Sequence, residues 1–246
     1  MRRIRITVAY DGTGFHGWQV QPGLATIQGT LERIVTEIEG RPVHVAGSGR
    51  TDAGVHALAQ VAAFSIENPI PVANLRKAVN RLLPPAVRVL SVEEVEGSFH
   101  PRFNAKAKTY EYRIVRGESC PPWEWRYVHH HPYPLDVERM ARLAPLLEGV
   151  HDFTAFAASD ERDLEGRSKV RTVWTSEIEA QGDRLLYRVR GSGFLKHMVR
   201  NIMGTLLEAG KGNLGEPELR ALLAPATEKA GPTVPAKGLF LIGVEY

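Results

Sequence analysis

The chain has 246 residues, 43% of them hydrophobic and 24% charged, the balance of an ordinary globular protein of one or two domains. Its formal net charge of +3 leans mildly towards polyanionic partners and by itself establishes none. The single cysteine, Cys120, excludes an internal disulfide and any Cys-rich zinc or iron–sulfur site, and fits a reducing compartment.

The opening RIRITVAY alternates, with Ile4, Ile6 and Val8 on one side and Arg3, Arg5 and Thr7 on the other, which predicts a half-buried strand. Charge and alternation there replace the apolar run of a signal peptide, and no later run reaches membrane-spanning length. The expectation is therefore a soluble cytoplasmic protein with no membrane attachment. After the DGTG turn, TIQGTLERIVTEIEG reads as a helix with Thr26 as N-cap, Gly40 as stop, and Ile27, Leu31, Ile34, Val35 and Ile38 as its apolar stripe. PVHVAG (42–47) reads as a short strand, VHALAQVAAFSI as mostly strand beyond Ala57, VANLRKAVNRLLPP as a helix stopped by its prolines, and VRVLSVEEV as a strand.

FHPRFNAKAK leads into the second half. There TYEYRIV predicts a strand with Tyr110, Tyr112 and Ile114 on one side, and SCPPWEWRYVHHHPYP an irregular aromatic segment. LDVERMARLAPLLEGV (135–150) reads as one helix and residues 151–171 as a long polar loop. Two strands flank the QGD turn at 181–183. FLKHMVRNIMGTLLEAG reads as a strong helix from 194, PELRALLA as a short one, and GLFLIGVEY as a closing strand. Helices mixed with hairpin-like strands predict an α+β (mixed α/β) fold, with a largely antiparallel sheet and flanking helices. Two halves are expected, 1–104 and 105–246, with a catalytic cleft between them.

Residues 184–211 hold six Lys/Arg and one Glu. Arg184, Arg188 and Arg190 share one strand face, and Lys196 and Arg200 are helical neighbours. Arg162, Arg167, Lys169 and Arg171 lie in the preceding loop. Such a surface can track a phosphate backbone, with Phe15, His16, Trp18, Trp123 and Trp125 as candidate stacking platforms. Solvated charge is the plainer alternative for any one of these residues and core packing for the aromatics, but for the basic group together the scarcity of acids favours an anion-binding surface.

In GSGRTDAGVH, glycines permit tight turns and close approach by a ligand. Arg50 and Asp52, two apart, would share a side of an extended segment, where the cation would hold the carboxylate ionised and oriented as a nucleophile or base. An aspartate in a glycine-rich turn equally caps its own backbone. The loop lacks the GxxxxGK[ST] phosphate-loop spacing, GTGFHG lacks the rest of a dinucleotide fingerprint, and HExxH and GxSxG are absent. Three adjacent histidines at 129–131 alternate sides and form a poor preset metal site.

GSGRTDAGVHALAQVAAF resembles the signature of the TruA family of tRNA pseudouridine synthases. YDGTGFHGWQVQP, RFNAKAKTYEYRI, HDFTAFA, GSGFLKHMVRNIMGTLLEAGKG and GPTVPAKGLFLIGVEY extend the likeness, in order, along nearly the whole chain. The resemblance implies a pseudouridine-synthase fold of two related halves about a cleft. It implies conversion of uridine to pseudouridine at positions 38, 39 and 40 of the tRNA anticodon stem–loop, with no cofactor, no metal, and a homodimer binding the tRNA. It also implies that Asp52 is the nucleophile, that Tyr110 contacts the flipped base, and that Arg200 pairs with the aspartate. Arg50 would contact the substrate nucleotide and Leu239 line the base pocket. Arg188, Arg190 and Lys196 remain the candidate backbone contacts read from the residues themselves.

Overall fold

The computed structural model describes residues 1–159, 166, 168–225 and 229–246. In chain order they form β1 (Arg2–Tyr10), α1 (Ile27–Glu39), β2 (Ala46–Gly47), β3 (His56–Ile66), α2 (Val72–Leu82), β4 (Val87–Val95), β5 (Ala107–Val115), β6 (His129–His130), α3 (Val137–Leu143), β7 (Gly149–Asp152), β8 (Val170–Gln181), β9 (Arg184–Gly191), α4 (Met198–Gly210), α5 (Glu216–Leu222) and β10 (Leu239–Glu245). They make two compact units, Met1–Lys106 with Phe240–Tyr246, and Ala107–Leu239. The fold is mixed α/β with largely antiparallel strands and flanking helices, as expected from the sequence.

In the first unit the strand order is β4–β1–β3–β10, with the short β2 also on β3. β1 is antiparallel to both β3 and β4, whereas β10 runs parallel to β3. β1 buries Ile4, Ile6, Val8 and Tyr10, one face of its alternation. β3 is central, and Val61 to Phe64 are buried on both faces, which is why small alanines suit it. The Thr26 hydroxyl accepts from Gly29 N at the start of α1, and Gly40 closes the helix at φ 79°, a left-handed conformation that glycine adopts without strain. Asn80 pins α2 to β4 by donating to Val89 O at 2.8 Å while its Oδ1 accepts from Val89 N at 2.9 Å.

In the second unit β5–β9–β8–β7 form an antiparallel meander, with β6 parallel on β5. Leu185, Tyr187 and Val189 of β9 are fully buried, and the arginines between them take the opposite face, as the alternation predicts. α4 is buried on nearly every side, so its hydrophobic pattern runs around the helix rather than along a stripe. A side chain at Gly210 would place its Cβ 2.5 Å from Met140 Sδ, so glycine there lets α3 approach α4 closely.

Three expectations are corrected. Of the strand expected over 42–47, only Ala46–Gly47 is strand. The Val43 and Val45 amides donate to Thr36 Oγ1 and Glu32 Oε1 of α1 instead of to a ladder. The helix expected over 135–150 ends at Leu143 and tightens into a 3₁₀ turn at Ala144–Leu147, because Pro145 has no N–H to continue it. The helix expected from 194 begins at Met198, and His197 before it has φ 62°, the one positive φ among described non-glycine residues.

Candidate active site

The first unit positions the aspartate loop. Asp52 lies half-buried and Arg50 exposed on the segment between β2 and β3. Val55 N donates to Asp52 O at 3.1 Å, so the backbone turns over 52–55, and residues 50–52 ahead of it lie in neither helix nor strand. Arg50 makes no ion pair with Asp52 or with any other described residue, contrary to the sequence expectation. Its guanidinium is left available to a ligand.

The loop is held from beneath by buried polar side chains. The Tyr10 and Thr51 hydroxyls are 2.9 Å apart. Gln60, with no exposed surface, donates from Nε2 to Gly49 O at 3.0 Å and accepts at Oε1 from Ser48 Oγ at 2.6 Å and from Val61 N at 3.1 Å. Burial pushes the Tyr10 phenol up to about 12, so it stays protonated and can donate. From the side, the 11–18 segment docks on the same loop through Trp18 N to Thr51 O at 3.0 Å and Gly54 N to Phe15 O at 3.3 Å. Gly12 and Gly17 permit this approach. A Cβ at Gly12 would fall 2.1 Å from Val55 O, and one at Gly17, where φ is 85°, 2.6 Å from Thr51 O. Beyond the loop, the His56 ring stacks on Phe240 with centroids 4.7 Å apart. Trp18 is 3% exposed, so this residue, a candidate stacking platform by sequence, belongs to the core. Trp123 and Trp125 are exposed.

The second unit holds the other candidates. Tyr110, on β5, is buried, pairs with Val189 of β9, and meets the Phe194 ring edge-on at 5.1 Å. Arg200, in the first turn of α4, donates from Nε to Val234 O at 2.8 Å. That carbonyl belongs to a strap fixed on α4. Gly231 N donates to Thr205 Oγ1 at 3.0 Å, Thr233 Oγ1 to Asn201 Oδ1 at 2.5 Å, and Asn201 Nδ2 to Phe156 O at 2.7 Å. Gly204 admits the strap, since a Cβ there would sit 1.7 Å from Pro232 O. The strap continues to Pro235, whose carbonyl accepts from the Tyr112 hydroxyl at 2.8 Å, and then to the buried Leu239. Burial raises the Tyr112 pKa, and the nearby Arg200 charge partly opposes this.

The arginine face of β9 carries its own counter-charges. Arg184 is bidentate to Glu124 at 2.7 and 2.8 Å. Arg188 meets Glu111 at 3.1 Å and Glu177 at 3.5 Å, and Arg190 lies over Trp174 at 4.9 Å. The scarcity of acids within 184–211 is thus offset by carboxylates on β5, β8 and the 121–127 turn, which sequence proximity does not show. Lys196 Nζ donates to Ser159 O at 3.1 Å. Lys169 and Arg171 are described, whereas Arg162 and Arg167 lie outside the described residues. Among the described residues no group of three or more His, Cys, Asp or Glu could hold a metal ion, and no helix is long and apolar enough to cross a membrane.

Sequence reasoning missed Tyr10, Gln60 and Asn201. Their signal was a polar residue at a position where the apolar pattern of strand or helix expects none.

A family model described as tRNA pseudouridine synthase matches residues 6–104 and 143–246. Proteins named tRNA pseudouridine synthase A are similar to the chain along all of its length. The one from Solibacter usitatus is 70% identical with both chains fully covered. That from Brevibacillus brevis is 44% identical, also with full coverage of both, and that from Thermoanaerobacter sp. is 41% identical with the same coverage. With two long stretches matched by the family model and relatives aligned end to end, the chain belongs to the TruA family of tRNA pseudouridine synthases, isomerases that act on tRNA.

Proposed function

We propose that the chain forms pseudouridine at positions 38, 39 and 40 of the tRNA anticodon stem–loop, as a cytoplasmic homodimer needing neither cofactor nor metal. The observation that carries the reading is the build of the aspartate loop. Its backbone is locked by Tyr10, Gln60 and the 11–18 segment, while Arg50 beside it stays exposed and unpaired among the described residues. A fixed carboxylate beside an available cation suits nucleophilic attack on a bound polyanion.

In this reading the target uridine leaves its stack, which costs a few kcal/mol and is offset by phosphate contacts. Arg50 takes up the space or the phosphate that the flipped nucleotide leaves. The Asp52 carboxylate is the nucleophile as the bond between ribose C1′ and uracil N1 breaks. The uracil turns, its C5 attacks C1′ and displaces the Asp52 carboxylate, and loss of the C5 proton, matched by uptake of one at N1, restores the aromatic ring. Tyr110, held by Phe194 and the β5–β9 ladder, contacts the base, and Leu239 supplies apolar lining. Arg200, fixed through Val234, is the cation assigned to the catalytic carboxylate. Of the candidate backbone contacts, Lys196 suits phosphate better than Arg188, which Glu111 and Glu177 already neutralise.

The test uses tRNA tritiated at uridine C5. The protein is expected to release tritium and to sediment at twice its 27.3 kDa chain mass, with pseudouridine mapping to positions 38–40. Asp52→Asn is expected to bind tRNA and lose about a thousandfold or more in rate. Release undiminished in Asp52→Asn would refute the assignment of the nucleophile. Modification elsewhere on the tRNA, or a single-chain mass, would refute the site or the dimer.

A further inference from the structure

The turn between β4 and β5, FHPRFN, plays no part in the site described above. It presents Phe103 with 76% of its surface exposed. A lone exposed apolar residue is ordinary. What distinguishes Phe103 is the scaffold beneath it. Asn104 Oδ1 accepts from His100 N at 2.7 Å, and Asn104 N donates back to His100 O at 3.0 Å. His100 Nδ1 accepts from Arg102 N at 3.1 Å and from Phe103 N at 3.4 Å. Pro101 O accepts from the Tyr246 hydroxyl at 2.7 Å, and Phe99, alongside, packs on the Tyr246 ring at 5.1 Å. The turn therefore commits its polar groups to holding one conformation, in which the His100 ring backs the Phe103 ring at 4.3 Å.

The charge that lies against this ring is a cation. Arg102 Cζ lies 5.8 Å from the ring centroid, and neither Arg102 nor Lys106 has a carboxylate partner among the described residues. At the same turn a hollow is lined by Glu94, Glu96, Phe99 and Asn104. Glu94 is tied to Arg2, but Glu96 is not paired among the described residues. A strand of nucleic acid lying here is steered with its phosphates towards Arg102 and Lys106.

We propose that Phe103 is a stacking platform for an unpaired base of the tRNA substrate, with Arg102 contacting an adjacent phosphate. A ring held rigid and backed by a second ring loses little freedom when a base stacks on it. The inference rests on tRNA being the substrate, and not on the roles assigned to Asp52, Tyr110 or Arg200.

The test measures tRNA affinity in the Asp52→Asn background, where turnover does not intervene, and KM and kcat in the otherwise native chain. Phe103→Ala is expected to weaken binding about five- to a hundredfold, with its loss in kcat/KM carried by KM, and Phe103→Trp to restore affinity. Arg102→Gln is expected to lower the slope of log K against log salt by about 0.7–0.9, the release expected for one phosphate contact, whereas Phe103→Ala leaves that slope unchanged. Thermal melting of each variant separates loss of fold from loss of contact. Unchanged affinity in Phe103→Ala overturns the proposal, as does full affinity in Phe103→Leu, which keeps apolar bulk without a ring. A changed oligomeric state with unchanged tRNA affinity also overturns it and points to a protein contact. Tritium release retained by Asp52→Asn would refute the catalytic reading alone and leave the stacking result standing.

Discussion

Gln60 sits in a strand of alanine, valine and phenylalanine, has no exposed surface, and yet makes three hydrogen bonds around Ser48, Gly49 and Val61. Removing the amide leaves the Gly49 carbonyl and the Ser48 hydroxyl buried without it, each at about 1–3 kcal/mol. Gln60→Leu, which keeps much of the volume, is expected to lose about 2–4 kcal/mol in urea unfolding. Its kcat is expected to fall more than its KM rises, because the loop carrying Asp52 loses its floor while Arg50 stays exposed. Equal kcat with lowered stability would reduce Gln60 to a purely structural residue. At this scale the sequence was legible where a motif names a residue and opaque where geometry decides. Asp52 and Arg50 were legible as candidates. Their failure to pair was not, because two-residue spacing fixes a shared side only in a strand, and residues 50–52 lie outside one. Trp18 was misplaced for a similar reason. Its ring lies against Gly47, and only the fold reveals that a Cβ there would approach the indole to 2.5 Å.

Among the elements, β1, α1, β4 and β9 followed directly from alternation or capping, because their periodicity reflects one buried face. β6 did not. It is two residues of the histidine run, added parallel to β5 through Ile114↔His129 and Val115↔His130. This placement half-buries His129 and pushes its pKa down to about 4, chiefly by desolvation, with the His131, Lys237, His130 and Lys211 charges adding to the effect. The folded ring is thus neutral where the unfolded ring, near 6.5, takes a proton. Stability is complete above about pH 6.5 and falls as the pH drops towards 4. Full conversion of that displacement gives about 3 kcal/mol, and the partial solvation of the ring reduces it to about 1–2 kcal/mol. Urea unfolding at pH 7 and pH 5 is expected to show about half of this loss in the native chain and little of it in His129→Gln. Equal pH dependence in the two would place the effect elsewhere.

At the scale of the whole molecule, a mixed α/β fold with antiparallel strands was readable from the order of elements, but the partner of the last strand was not. β10 has the alternation of any strand, and nothing in its residues says that from Phe240 onward it belongs with β3, more than half the chain away. There Phe240 stacks on His56, Leu241 pairs with Ala57, Glu245 O accepts from Lys106 N at 2.8 Å, and the Tyr246 hydroxyl holds Pro101. Ending the chain at Leu239 removes two buried apolar side chains and these contacts, and is expected to cost about 5 kcal/mol or more. The checks are soluble yield and amide-exchange protection in β3. Native protection of β3 in the shortened chain would contradict the role given to β10. The same parallel pairing also bears on synthesis. The ribosome makes the segment with the Asp52 loop early, yet the strand that flanks it emerges only after the entire second unit. A partly made chain thus carries the segment around Asp52 without the last strand of its sheet, so order of manufacture delays completion of that unit until nearly all of this sequence has been translated.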